Sequence, residues 1–100
     1  MTTELNLTTS PGPDGGVVLT ACGEIDMSNA ETFADALIQA VAGAAGARLI
    51  VDITAVQYLD SAGLAALFAQ ADHIELRTGP LLAPLLEISG LTDLTTVHRV

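Results

Sequence analysis

The sequence predicts a single α/β domain over residues 1–100, in which a small mixed β-sheet of about four to five strands packs against α-helices. One hundred residues allow one hydrophobic core and no more. Some segments alternate apolar and polar residues, which is typical of strands. Between them lie segments whose apolar residues recur with helical periodicity. Half of the residues are hydrophobic but only 3% are aromatic. The core is therefore expected to consist of Leu, Val, Ile and Ala, whose small side chains favour close packing of helices on a sheet.

Alternation predicts the first two strands. Residues 5–9 alternate apolar and polar side chains, and residues 17–21 do so from Leu19 onwards. Residues 10–16 between them are rich in proline and glycine, which favours a hairpin loop. Cys22 is expected to lie in a strand, as a small buried residue rather than a redox sensor.

A change of period marks the first helix. Within residues 30–41 the apolar side chains lie at i, i+3, i+4, i+7, i+8 and i+11, which predicts one face of an amphipathic helix. Ser28 and Glu31 predict its start as a capping box, in which each side chain bonds the backbone N–H of the other. Gly43 and Gly46 predict its end.

Residues 49–53 form a short apolar, β-branched run between polar flanks. Such a run is typical of a strand that is covered on both faces. With the preceding strand and helix, it predicts a right-handed crossover connection. Asp52, near the end of this strand, is expected to bond loop N–H groups rather than to take part in chemistry.

The rest of the chain is expected to add helix, strand, helix and strand. Apolar residues at helical spacing after Asp60 or Ser61 predict a second helix that begins at one of these two residues. Residues 73–78 alternate and predict a strand, and residues 94–100 predict a weak final one. The third helix, from residue 79 to a C-cap at Gly90, contains Pro84 and is therefore expected to start late or to be distorted.

The charge of the chain restricts its partners. The chain has twelve acidic residues, three arginines and no lysine, which gives a formal net charge of -9. Nucleic acid and anionic membrane surfaces are excluded, because binding to either needs clustered Lys or Arg. A basic patch on another protein would be attracted instead, so the expected partner is a protein.

Cysteine usage and hydropathy favour a cytoplasmic location. The lone Cys22 cannot form an internal disulfide, which fits a reducing compartment. No apolar run approaches the ~20 residues of a membrane span, and residues 1–4 lack the basic region of a signal peptide. His73 and His98 have no metal-ligand spacing, so no metal and no other cofactor is expected.

The most informative stretch is residues 49–64, where a strand and a short turn lead to the motif DSAGL at the start of a helix. A helix N-terminus exposes unpaired N–H groups, so Asp60 can cap it while the small Ser61 and Ala62 leave the backbone approachable. Gly63 keeps the first turn free of a side chain. The hydroxyl of Ser61 is then expected at the surface, although a serine at this position can also be only a helix cap.

This stretch resembles the STAS domain, and within that family the anti-sigma factor antagonists of bacteria. Two further motifs of the family occur in the same order along this chain, GEID at residues 23–26 and SGL at residues 89–91. The resemblance implies a regulator of transcription, often in a stress response. In that family the unphosphorylated antagonist binds an anti-sigma factor that is also an ATP-binding serine kinase, and so frees the sigma factor. Phosphorylation of the motif serine ends the binding, and a phosphatase restores it.

Carried over by position, the resemblance implies that Ser61 is the phosphorylation site and that no residue is catalytic. Asp26 can instead cap the first helix, and Tyr58 can instead pack on the core. The residues expected in partner binding are Asp26, Tyr58, Asp60, Ser61, Ala62 and Gly63.

Other function classes have weaker support in the sequence. An enzyme with Ser61 as nucleophile is disfavoured, because residues 59–63 lack the first glycine of a nucleophile elbow. A phosphate-binding loop is disfavoured because residues 43–46 are not followed by a lysine. A STAS module that does not switch, and that serves protein interaction or small-molecule sensing, stays open.

Three departures from the family pattern keep that alternative open. The second helix runs almost directly into the strand at residues 73–78, Pro84 disturbs the third helix, and the sequence stops at Val100, before the C-terminal helix that many members have. Each departure can alter the binding face or leave an apolar patch that favours dimers. The sequence therefore leaves a monomer and a weak dimer both open.

Overall fold

Five strands and three helices follow one another in the predicted order. The computed structural model describes residues 4–100, apart from the side chain of Asp14. Residues 1–3, which belong to the segment predicted to lack a signal peptide, lie outside the described residues. The elements are β1 Asn6–Pro11, β2 Val17–Ile25, α1 Ala30–Gly43, β3 Leu49–Leu59, α2 Ser61–Ala69, β4 Ile74–Thr78, α3 Ala83–Ile88 and β5 Thr96–Arg99.

The strands form one mixed sheet in the order β1-β2-β3-β4-β5, which confirms the predicted α/β fold. β1 is antiparallel to β2, and the pairs β2–β3, β3–β4 and β4–β5 are parallel. The carboxyl ends of β2, β3 and β4 therefore lie at one edge of the sheet, where the connections to the helices begin. In open α/β sheets this is the edge at which binding sites are usually built. Among the described residues, no helix is long and apolar enough to cross a membrane.

The helices cover only one face of the sheet. On β3, Leu49, Val51 and Ile53 are buried in the same core as residues of all three helices. Ile50 and Asp52, which point to the other face, are only partly buried. The expectation that residues 49–53 are covered on both faces is therefore wrong, because the apolar run includes an isoleucine on the open face.

Cys22 also lies on the open face and is exposed, so its expected burial is wrong. Ala21 and Gly23 on either side of it are buried, and strand alternation turns the cysteine side chain outwards. Asp52 has the structural role expected of it. Its Oδ1 accepts hydrogen bonds from the backbone N–H and the hydroxyl of Thr54, at 2.9 and 2.7 Å, although Thr54 lies in the strand itself rather than in a loop.

β3 is longer than predicted and runs to Leu59, directly before α2, without the expected turn. It can do so because β2 accompanies it to the end, with Ile25 opposite Leu59. The pairing includes register irregularities, one of them directly after Gly23. Gly23 has a φ of 107°, which glycine adopts at little cost and which suits a bulge.

The C-terminal half of the structure agrees closely with the prediction from the sequence. α3 starts late, at Ala83, so that Pro84 stands in the first turn, where its missing N–H is tolerated. Gly90 has a φ of 87° directly after the last turn, as a C-terminal glycine should. α2 ends at Ala69 and a short 3-10 turn leads into β4, so this helix is short and the following strand is close to where it was predicted.

Candidate functional site

The start of α2 is capped by Asp60. Its Oδ1 accepts hydrogen bonds from the N–H groups of Ala62 and Gly63, at 3.0 and 3.1 Å. The helix begins at Ser61, in agreement with the predicted start. Because the aspartate satisfies these donors, the serine is not needed as a helix cap.

Ser61 occupies the first helical position and is exposed. Within residues 4–100, no hydrogen bond engages its hydroxyl. The side chain therefore has no evident structural task, and its oxygen is accessible to another molecule. Ala62, the next residue, is partly buried.

Gly63 is buried, and its role is internal. A Cβ built on it would lie 2.6 Å from Cγ2 of Ile25 and 2.6 Å from Cδ1 of Leu59. The sequence suggested a glycine that keeps the outer surface of the turn free, whereas the structure shows one that lets α2 approach the ends of β2 and β3. Gly63 thus positions Ser61 from the core side.

A second segment, residues 26–29, forms a tight turn between β2 and α1. Oδ1 of Asp26 accepts hydrogen bonds from the N–H and the hydroxyl of Ser28. The side-chain amide of Asn29 accepts from the N–H of Asp26 and donates to the carbonyl of Glu24, both at 2.9 Å. These four bonds fix the backbone of the turn.

The predicted capping box is wrong. α1 begins at Ala30 after Asn29 and has no side-chain cap. Ser28 bonds Asp26 two residues earlier, so its hydroxyl is engaged by the turn rather than by Glu31. The carboxylate of Asp26 caps the turn and not the helix, so the alternative prediction for this residue is also wrong.

A backbone hydrogen bond joins the two segments. The N–H of Asp60 donates to the carbonyl of Ile25 at 3.1 Å, directly beyond the point where Ile25 pairs with Leu59. The turn at residues 26–29 and the start of α2 are therefore neighbours at the carboxyl ends of β2 and β3. This brings Asp26 to the same edge as Ser61.

The side chains at this edge include two partly buried acidic residues, Asp26 and Asp60, and exposed apolar surface. The hydrogen bonds from the hydroxyl and then the N–H of Ser28 hold the pKa of Asp26 below its ordinary value, so this carboxylate is ionised at neutral pH. Tyr58, opposite Glu24 in the sheet, is 50% exposed. Met27, 83% exposed, was missed by the sequence reasoning, although an apolar residue between two polar turn residues was a usable signal. Tyr58 lies next to the buried Leu59 in β3 and therefore points to the open face of the sheet. We call the group Asp26, Met27, Asp60 and Ser61 the Ser61 surface.

The landmark at residues 89–91 serves the fold. The hydroxyl of Ser89 donates to the carbonyl of Leu86 at 3.0 Å, and Leu91 is fully buried in the core. This segment therefore ends α3 and anchors the chain before β5.

Comparison with known proteins agrees with this architecture. The STAS domain family model matches residues 4–98. An anti-sigma factor antagonist from Mycobacterium paratuberculosis superposes with a TM-score of 0.84 at 26% identity, over 95% of this chain and 86% of that one. The anti-sigma factor antagonist SpoIIAA in its unphosphorylated form gives 0.74 at 16% identity, over 95% and 88%. The STAS domain of an antagonist from Rhodobacter sphaeroides gives 0.53 at 18%, over 74% and 84%. Curated proteins yield no match.

Proposed function

The chain belongs to the STAS domain family, and from this premise we propose that it is an anti-sigma factor antagonist switched off by phosphorylation of Ser61. In its unphosphorylated form it binds, in the cytoplasm, an anti-sigma factor that is also an ATP-binding serine kinase, and so releases the sigma factor. A phosphatase restores the binding form. The chain itself catalyses no reaction.

The observation that carries this proposal is the state of the Ser61 hydroxyl. The side chain is exposed at the first position of α2, and within the described residues it makes no hydrogen bond. Asp60 already caps the helix, so modification of the serine leaves the cap in place. These features support a residue that a kinase can modify without disturbing the fold.

The expected effect of a phosphate on the fold is small. A phosphate adds about -1.5 to -2 charge, and a helix dipole favours a negative charge at its N-terminus by only ~0.3 to 1 kcal/mol. The N–H groups of Ala62 and Gly63 are already bonded to Asp60. A phosphate on Ser61 therefore gains no hydrogen bond from these two N–H groups while Asp60 holds them.

The expected effect on binding is large. A kinase must bring the γ-phosphate of ATP in line with the Ser61 hydroxyl, so after transfer the new phosphate faces the remaining nucleotide phosphates. Like charges about 4 Å apart repel by roughly 4 kcal/mol at an effective dielectric of 20. A hundredfold loss of affinity needs only about 2.7 kcal/mol. Phosphorylation is thus sufficient to end binding while the domain stays folded.

The test compares Ser61→Glu with Ser61→Ala by calorimetric titration against purified anti-sigma factor kinases of the source organism, each with ADP bound. Ser61→Glu is expected to weaken binding by about 100-fold or more, while Ser61→Ala binds within a few-fold of wild type. Both variants should unfold within about 0.5 kcal/mol of wild type, because the residue is exposed. Thr92→Glu, which places the same charge on an exposed residue after α3, is the matched control and should bind normally. Wild-type affinity in Ser61→Glu would show that the electrostatic switch is wrong.

A further inference from the structure

Met27 is a large apolar residue placed where the fold gains nothing from it. It is 83% exposed and lies in the middle of the turn at residues 26–29, whose hydrogen bonds involve only its neighbours. Isolated exposed apolar side chains are common on protein surfaces. Met27 differs by its position, because it lies in the turn that the hydrogen bond from Asp60 to Ile25 joins to the start of α2.

The backbone that carries Met27 is already ordered. The side chains of Asp26 and Asn29 hold the turn through bonds to Ser28, to the turn's own backbone and to the carbonyl of Glu24. The bond from Asp60 to Ile25 fixes the turn relative to Ser61. A partner that contacts Met27 therefore loses little free energy to backbone ordering. The thioether itself is flexible and polarisable and adapts to the socket that receives it.

Asp26 supplies a charge directly beside this apolar side chain. Its Oδ1 is engaged by Ser28, and within residues 4–100 its other carboxylate oxygen has no hydrogen-bond partner. That oxygen can accept a charge-assisted bond from a lysine or an arginine of another protein. The whole chain, at a net charge of -9, attracts such a basic surface over a longer range.

We propose that Met27 is the apolar anchor of the Ser61 surface, and that the partner receives it in an apolar socket edged by a lysine or arginine that meets Asp26. This inference rests on the proposed function, since the occupant is the anti-sigma factor kinase that docks at Ser61. It adds the chemistry of the partner's surface, an apolar depression with a cationic rim next to the nucleotide site.

The anchor is tested with Met27→Gln, which keeps the length of the side chain and makes its end polar. Binding to the purified anti-sigma factor kinases of the source organism should weaken about 10-fold or more, as expected for a buried interface anchor. Ile88→Gln is the matched control, because Ile88 is 87% exposed at the end of α3, and it should bind within about twofold of wild type. Equal losses in the two variants would contradict a specific role for Met27.

The cationic rim is tested with Asp26→Asn, which keeps an oxygen that can accept the bonds from Ser28 and removes the charge. We expect about 10-fold weaker binding and a shallower dependence of affinity on salt. If affinity and its salt dependence are unchanged, the partner has no lysine or arginine that meets Asp26, and this part of the proposal is wrong.

The outcomes separate this inference from the proposed function. If Ser61→Glu loses binding while Met27→Gln binds like wild type, the anchor is wrong and the phosphorylation switch stands. If wild type binds none of the kinases, both proposals fall.

Discussion

The two segments that meet at the carboxyl ends of β2 and β3 are held in place by different forces. The start of α2 is fixed from the core side, because the buried Gly63 sits against Ile25 and Leu59. The turn at residues 26–29 is fixed by hydrogen bonds among polar groups near the surface, and it exposes Met27. The difference separates two tasks in the proposed function. One segment sets where Ser61 stands, and the other supplies contacts whose loss leaves the fold intact.

The largest change in stability is expected from Gly63→Ala. The new methyl group must displace the stiff β-branched side chain of Ile25, at a cost of typically 1–3 kcal/mol, against a helix-propensity gain of about 1 kcal/mol. The difference is a net loss of up to about 2 kcal/mol in the free energy of unfolding, measured with urea. Gly43→Ala is the control, because Gly43 is also helical but an added Cβ meets nothing within 4 Å. That variant should be neutral or slightly more stable, and equal losses in both would mean that α2 is not closely packed at Gly63.

Removal of the α2 cap is expected to have the next largest effect. Asp60→Ala leaves two backbone donors without their acceptor and should lower the free energy of unfolding by about 1 kcal/mol. Asp60→Asn should retain most of that stability. Ser28→Ala tests the other segment and should cost less than about 0.5 kcal/mol, because Ser28 is exposed and caps no helix. A larger loss of stability in Ser28→Ala than in Asp60→Ala would contradict the conclusion that Asp60 caps a helix and Ser28 does not.

The smallest effect is expected in the acid titration of the turn. The pKa of Asp26 is lowered from 3.8, first by the hydroxyl and then by the N–H of Ser28. A carboxyl whose pKa is lower in the folded state stabilises the fold above its unfolded pKa, and this contribution is lost as the pH falls through the folded value. The contribution of Asp26 to the stability of the fold is therefore lost only below about pH 4. Carboxyl NMR titration should show the pKa of Asp26 returning towards 3.8 in Ser28→Ala, and an unchanged pKa would show that the hydroxyl bond is not its main cause.

The two segments also differ in how far the sequence predicted them. The role of Asp60 could be predicted because its partners follow within three residues and no other side chain competes for them. Ser28 had two local partners, Glu31 after it and Asp26 before it, and the sequence pattern did not show which bond forms. The exposure of Ser61 followed from its place at a helix start, whereas the burial of Gly63 depends on Ile25, which is distant in the chain.

The same distinction holds for the fold. The element order and the late start of α3 at Pro84 follow from local periodicity and backbone chemistry. The extension of β3 to Leu59 needs β2 beside it, and the open face that exposes Cys22 depends on where the helices pack. Neither feature can be predicted from a local sequence pattern.

The central claim is that Ser61 is the residue a kinase modifies. The direct measurement is incubation of the wild-type chain with ATP and each purified anti-sigma factor kinase of the source organism, followed by phosphosite mapping by mass spectrometry. We expect one phosphate, on Ser61, and none on the Ser61→Ala variant. Phosphate on another residue, or on none, would contradict the account.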